Sequence, residues 1–279
     1  MMKVRKFYNA YLPILTHYIN VPYMDNEPRR IRVLLPRNYE QNSEKVYPVL
    51  YMHDGQNVFY SRESFSGYSW KLIPLMKNQN FIPEMIVVAI DNSGENRFDE
   101  YTPWEMTEEE QQASGHTGGL GMEYAEWIVS TVKPFIDTTY RTLPEREHTL
   151  LAGSSLGGLI TAYMGSAYPD VFGNLGIFSL CSWVSEEAFL DYIGEHPVHP
   201  EAKVYIQVGT VEGNSEDAGL TSRNVNQAYI DSSLWYYQTL LENGHSLYRF
   251  WFRILADEGH FEKYWADHFE EFLAFSFSD

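Results

Sequence analysis

One stretch of this chain has the residue types and spacing for acyl chemistry: Leu150-Leu151-Ala152-Gly153-Ser154-Ser155-Leu156-Gly157-Gly158. A short apolar strand runs into G-x-S-x-G and then into an apolar helix that begins near Leu156. That order makes a sharp strand-to-helix turn, which lifts one serine hydroxyl clear of the sheet. By this register the lifted residue is Ser155 and not Ser154. The flanking glycines are required because a side chain there would meet the neighbouring strand or helix.

A serine hydroxyl is a weak nucleophile until a base takes its proton, and the base needs a group to orient it. In this architecture the chain order is serine, acid, histidine. The histidines after Ser155 are His196, His199, His245, His260 and His268. His260 follows an apolar strand and precedes the last helix, so it belongs on the carboxyl edge of the sheet beside the serine. His245 precedes that strand, His268 sits within a helix, and His196 and His199 lie between elements. The acid should leave the strand around Val204–Val208, where Glu212, Glu216 and Asp217 follow. Glu212 stands nearest the strand end and is the leading candidate, with Asp217 the alternative.

Acyl transfer also needs donors aimed at the developing oxyanion. The backbone N–H of Leu156 heads the elbow helix, where the dipole favours negative charge. A second donor is expected from His53-Asp54-Gly55-Gln56-Asn57, through Gly55 or Gln56. No third spaced ligand accompanies His53 and Asp54, so they are not read as a metal site. Asp54 is expected to bond to loop backbone.

The elements that position these groups follow from the hydrophobic pattern. Residues 11–20 and 30–36 read as early strands with a turn at Pro28. Pro48–His53 and the run Met85–Ile90 read as strands, the second as a buried parallel one. Trp70–Gln79 reads as a helix, and Gly121–Tyr140 as another with a break near Pro134. Residues 91–121 read as one long loop, of the length that often carries function. Strands at 171–179, 203–208 and 247–255 alternate with helices at 186–193, 222–243 and 259–275. Gly244 closes the penultimate helix. The alternation predicts an α/β class: one domain over 1–279, with a mostly parallel sheet and helices on both faces.

Taken in order, Tyr51–Asn57, Lys133–Arg141, Gly153–Gly158, Gly209-Thr210-Val211-Glu212 and Gly259-His260-Phe261 resemble the esterase family of α/β-hydrolases. That family includes enterochelin esterases, feruloyl esterase domains and S-formylglutathione hydrolase. The resemblance runs from about residue 30 to the end. It implies Ser155 as nucleophile, His260 as base and no metal or organic cofactor. Feruloyl esterase domains carry an aspartate where Glu212 stands, so the carboxylate here sits one methylene further out. Some relatives in the enterochelin branch lack a conventional acid.

Asn92, Arg97 and Trp104 in the 91–121 segment are expected to overhang the pocket, with Trp183 lining it from the other side. Aromatic faces with a few polar groups suit a phenolic acid or a sugar ring. A formal charge of -18 disfavours nucleic acid and anionic membrane as partners. Cys181 is the only cysteine, and no segment reads as a secretion signal or membrane span, so a cytoplasmic setting is expected. The expected activity is hydrolysis of carboxylic esters of small acyl or phenolic acids, with sugars among the possible alcohol partners. The alternatives are hydrolysis of a siderophore ester or thioester, acyl transfer to an alcohol, and a noncatalytic binding module. The resemblance to that family branch is compatible with homo-oligomers.

Overall fold

The computed structural model describes residues 14–78, 80–213, 221 and 223–278. The strands are β1 (Ile14–Val21), β2 (Glu27–Leu34), β3 (Val49–Met52), β4 (Ile86–Ile90), β5 (Thr149–Ser154), β6 (Asn174–Phe178), β7 (Lys203–Val211) and β8 (Phe250–Gly259). They form one sheet in the order β1-β2-β4-β3-β5-β6-β7-β8. β2 is antiparallel to both neighbours, and every pairing from β4 across to β8 is parallel. With helices on both faces, this is the α/β-hydrolase architecture.

Alternate residues of the central strands feed two separate cores, so these strands must be apolar at every position. Val49 and Tyr51 of β3 join one cluster, Leu50 and Met52 the other. The first lies under α4 (Gly121–Trp127), α5 (Lys133–Thr139), α6 (Leu156–Ala167), α7 (Glu186–Glu195) and α8 (Val225–Glu242). The second lies under α1 (Leu72–Asn78) and α9 (Glu262–Ser276). At its centre Phe178 meets Trp70, Tyr205 and Phe269 at ring distances of 5.1, 5.4 and 5.7 Å.

Several expected boundaries move. The first turn falls at 22–26, with Asp25 and Asn26 at positive φ, and Pro28 lies inside β2. β2 pairs with β4 only from Ile31 onward, so on that side no ladder bond is asked of the missing Pro28 N–H. The expected loop at 91–121 contains the short helices α2 (Arg97–Tyr101) and α3 (Glu108–Ser114). Ahead of Pro134 the helix widens into a π-turn over Ile128–Val132, which accommodates a ring with no N–H to donate. β7 runs three residues past Val208, and β8 runs to Gly259. Gly244 has φ 85° directly after α8, as its place at the helix end requires.

Replacing Phe178 by alanine should cost about 3–5 kcal/mol in urea unfolding, the range for a large aromatic removed from a close-packed core. A loss below about 1 kcal/mol would mean that the rings collapse into the space and that this core is far more plastic than its geometry implies.

Candidate active site

Ser155 occupies the junction of β5 and α6 with φ 61° and ψ -126°, a backbone conformation that an L-residue adopts only under constraint. The constraint is visible on each side. Ser155 N–H donates to the Phe178 carbonyl at 2.9 Å, which pins the turn to β6. A Cβ on Gly153 would lie 2.5 Å from the Gly157 carbonyl oxygen, and one on Gly158 would lie 3.1 Å from the Phe178 oxygen. Leu156 is the first residue of α6, so its N–H has no carbonyl one turn back to bond.

His260 follows the last residue of β8, and Glu212 follows the last residue of β7. Both therefore stand on the sheet edge at which β5 delivers Ser155. His260 Nδ1 lies 2.8 Å from Glu212 Oε2. A carboxylate accepts, so the proton sits on Nδ1 and the lone pair on Nε2. Glu212 is buried, and its other oxygen accepts from Ser179 Oγ and from Gly209 N–H, both at 2.6 Å. Gly209 is required first by its neighbour strand, since a Cβ there would lie 2.1 Å from the Glu258 carbonyl oxygen, and it also borders Glu212 Oε1 at 3.1 Å. Among the described residues no hydrogen bond joins Ser155 to His260. The imidazole is held by rings, Tyr229 at 4.8 Å and Trp265 edge-on at 5.0 Å. Asp217 and Glu216 lie outside the described residues.

The Gly55–Asn57 turn, expected to supply the second oxyanion donor, starts from Asp54 in the left-handed region at φ 52°. Gly55 is packed against β4, where a Cβ would lie 2.7 Å from the Ala89 carbonyl carbon and the Asp91 nitrogen. The Gln56 side chain accepts from Asn92 N–H at 3.1 Å.

Loop backbone is the partner expected for Asp54, but among the described residues its carboxylate bonds side chains, and only its backbone carbonyl accepts a loop N–H, from Asn57. The carboxylate takes both arms of Arg97 (2.7 and 2.8 Å) and Asn92 Nδ2 (2.6 Å). Burial alone would raise this carboxyl; the Arg97 charge and the bonds from Arg97 and Asn92 carry it below its usual range. Asn92 and Arg97 thus give their side-chain donors to Asp54 in this structure. Trp104 packs edge-on to Tyr163 and Tyr192, each at 5.6 Å. Trp183 is buried against Tyr229, the ring that faces His260, and its Nε1 has no partner among the described residues.

Two supports carry little sequence signal. Ser179, a lone serine at the end of β6, accepts from Trp265 Nε1 at 2.8 Å while donating to Glu212. Glu262, two residues past His260, accepts from Asn57 Nδ2 at 3.1 Å, and burial pushes its carboxyl up. Among the described residues no group of three or more His, Cys, Asp or Glu side chains could hold a metal ion. No described helix is long and apolar enough to cross a membrane.

Comparison with known proteins agrees with this architecture. Residues 22–275 match the family model described as "Putative esterase", and the chain belongs to that family. It is 26% identical to the Bacillus subtilis protein "Uncharacterized protein YbbA" over 242 residues, which is 86% of this chain and 89% of that one. Among solved structures it is similar to a ferulic acid esterase, with TM-score 0.69, 21% identity, and 95% of this chain and 97% of the other covered. It is similar too to the enterobactin esterase FES of Shigella flexneri, with TM-score 0.70 and 16% identity, covering 95% of this chain and 58% of that one. The fold and the family together make this an esterase-type hydrolase.

Beneath the turn, His53 is fully buried, and burial pushes its imidazole down to about 3. Its Nδ1 meets the Tyr124 hydroxyl at 2.8 Å. Its folded value lies below the ordinary 6.5, so on acidification the unfolded chain takes up its proton first. The His53 contribution to stability is therefore full above about 6.5 and is lost as pH falls toward about 3. An NMR titration should find His53 neutral down to about pH 3 in the folded protein. A midpoint near the ordinary 6.5 would contradict the burial argument.

Proposed function

We propose that this chain is a serine esterase that cleaves carboxylic esters of small acyl or phenolic acids through an acyl-enzyme. The observation that carries the reading is the His260–Glu212 pair, formed by residues just past β8 and β7 on the edge that holds Ser155 in its strained turn. Ser155 Oγ attacks the ester carbonyl while His260 Nε2 takes its proton. Glu212 keeps the Nδ1–H tautomer and faces the imidazolium that forms. The oxyanion is received by the Leu156 N–H and by an N–H of the Gly55–Gln56 segment. His260 then protonates the leaving alcohol and activates water to release the acid.

A phenolic preference is supported by the aromatic surroundings of the site, with Tyr229 and Trp265 against His260 and Trp183 packed behind Tyr229. The names of the similar folds, ferulic acid esterase and enterobactin esterase, point the same way. The test is turnover of 4-nitrophenyl acyl esters, methyl hydroxycinnamates and an iron-siderophore ester, with and without an added alcohol acceptor.

Ser155→Ala should lower kcat by roughly 10⁴-fold or more, and Glu212→Ala by about 10³–10⁴-fold, with both variants folded. Retained turnover in Ser155→Ala would end the serine-esterase reading. Loss on replacing Asp217 with Glu212→Ala still active would move the acid. Folded wild type that turns over none of these esters would favour a thioester substrate or a binding role.

A further inference from the structure

The residues around the Gly55–Asn57 turn converge on one carboxylate. Asp54 is buried, and its partners Arg97, Asn92 and Tyr101 all come from the segment that follows β4. Arg97 makes a two-armed contact, and Asn92 bonds Oδ1 beside it. The Tyr101 hydroxyl accepts from the Asp54 backbone N–H at 3.0 Å, which fixes the left-handed residue from which the turn departs. On its far side the carboxylate adjoins the elbow: a Cβ on Gly157 would lie 3.2 Å from Asp54 Oδ2. Asp54 is thus a buried negative charge within reach of the start of α6, two residues from Ser155.

That placement creates an electrostatic problem for the proposed reaction. The amino end of α6 favours negative charge, and the transition state needs that preference for the substrate oxygen. A bare carboxylate beside it would compete for the same dipole and repel the oxyanion at short range in a poorly solvated site. A guanidinium in bidentate contact removes the competitor and at the same time locks the turn in place.

The geometry points to Arg97 as a positioning residue of the esterase reaction, one that neutralises Asp54 and holds the Gly55–Gln56 donors against the elbow instead of binding substrate. This inference rests on the serine-esterase reading. It makes the two halves of the ion pair unequal. Losing Arg97 leaves a buried negative charge opposing the oxyanion, whereas losing the Asp54 charge leaves a positive one that does not.

The experiment compares Arg97→Met, Arg97→Lys, Asp54→Asn and the double variant Asp54→Asn/Arg97→Met, reading kcat and KM on a 4-nitrophenyl ester and thermal unfolding in parallel. Arg97→Met should lose about 100-fold in kcat with KM shifted less than about threefold, as for a lost oxyanion donor. Asp54→Asn should lose about tenfold or less, and adding it to Arg97→Met should recover activity to its own level. Arg97→Lys, which keeps the charge without the fork, should fall between. If Arg97→Met does not fold, Arg97→Lys still has to keep KM, and the double variant still has to match Asp54→Asn.

A raised KM with kcat kept would make Arg97 a substrate ligand and overturn the inference. Equal losses from either side with no recovery in the double variant would overturn it as well, leaving a purely structural pair. Ser155→Ala separates the two levels. If it is inactive while Arg97→Met matches wild type, only this inference fails; if it stays active, the esterase reading fails beneath it.

Discussion

The backbone of Ser155 is the constraint on which the rest of the site depends. A non-glycine residue held at φ 61°, ψ -126° costs on the order of 1–3 kcal/mol and would relax without opposition. Opposition comes from α6, whose residues from Leu156 to Ser166 are all buried. The helix cannot rotate to relieve its first residue without exposing one face and crushing another. Gly158 and Leu159 N–H both return to the Ser155 carbonyl, at 2.9 and 3.1 Å, so the helix begins directly on the strained residue. The position of Ser155 is thus set by the core under the sheet more than by any contact of the serine itself.

The strand β6 then couples that position to Glu212. It lies between β5 and β7, and two consecutive residues at its end face opposite duties. The Phe178 carbonyl receives Ser155 N–H, and the Ser179 hydroxyl donates to Glu212. Ser179 itself sits at φ 48°, with its N–H on the Gln207 carbonyl at 2.7 Å and Trp265 of α9 donating to its oxygen. Any shift of β6 along the sheet would disturb elbow and acid together. Glu212 reaches His260 because its carboxylate is steered by Ser179 and Gly209, which confines the extra methylene to one geometry. A glutamate is therefore compatible with a close contact to His260.

How much of this the sequence reveals depends on how local the determining physics is. The central strands are legible because burial on both faces demands unbroken apolar runs such as Ile86–Ile90. The elbow is legible because its glycines cluster within six residues of chain, although only Gly153 has its nearest contact inside that stretch; Gly157 and Gly158 answer to Asp54 and Phe178. His260 and Glu212 can be located by counting from strand ends, although β7 ends three residues beyond the point where its apolar run stops. The short helices α2 and α3 hide in 91–121 because five or seven residues show no period. Ser179 gives no signal, since a single serine at a strand end has a partner only when β7 and α9 fold beside it. The Asp54–Arg97 pair joins residues 43 positions apart, and nothing in either local sequence names the other. Reading Arg97 and Asn92 as pocket residues missed the partner both of them meet, the Asp54 carboxylate.

The same pair explains why a five-residue helix can be a fixed part of the site. A single turn of helix does not persist alone in water, because its nucleation entropy exceeds what its few hydrogen bonds return. α2 is fastened from two directions. Arg97 at its start grips Asp54 on the site side, and Glu100 one turn later accepts both arms of Arg29 from β2, each at 2.9 Å. The Tyr23 hydroxyl in the first turn adds a third bond to Glu100 at 2.6 Å. Of the two pairs, Arg29–Glu100 is buried on both sides, whereas the Arg97 side chain keeps 27% exposure over buried Asp54; a buried pair contributes little net stability over apolar packing, yet leaving one member unpaired costs about 3–5 kcal/mol. Their effect is to forbid alternatives: α2 can dock only where both charges are met at once. The antiparallel hairpin β1–β2, which contributes no candidate catalytic group, therefore sets the helix that sets Asp54 and the turn that follows it.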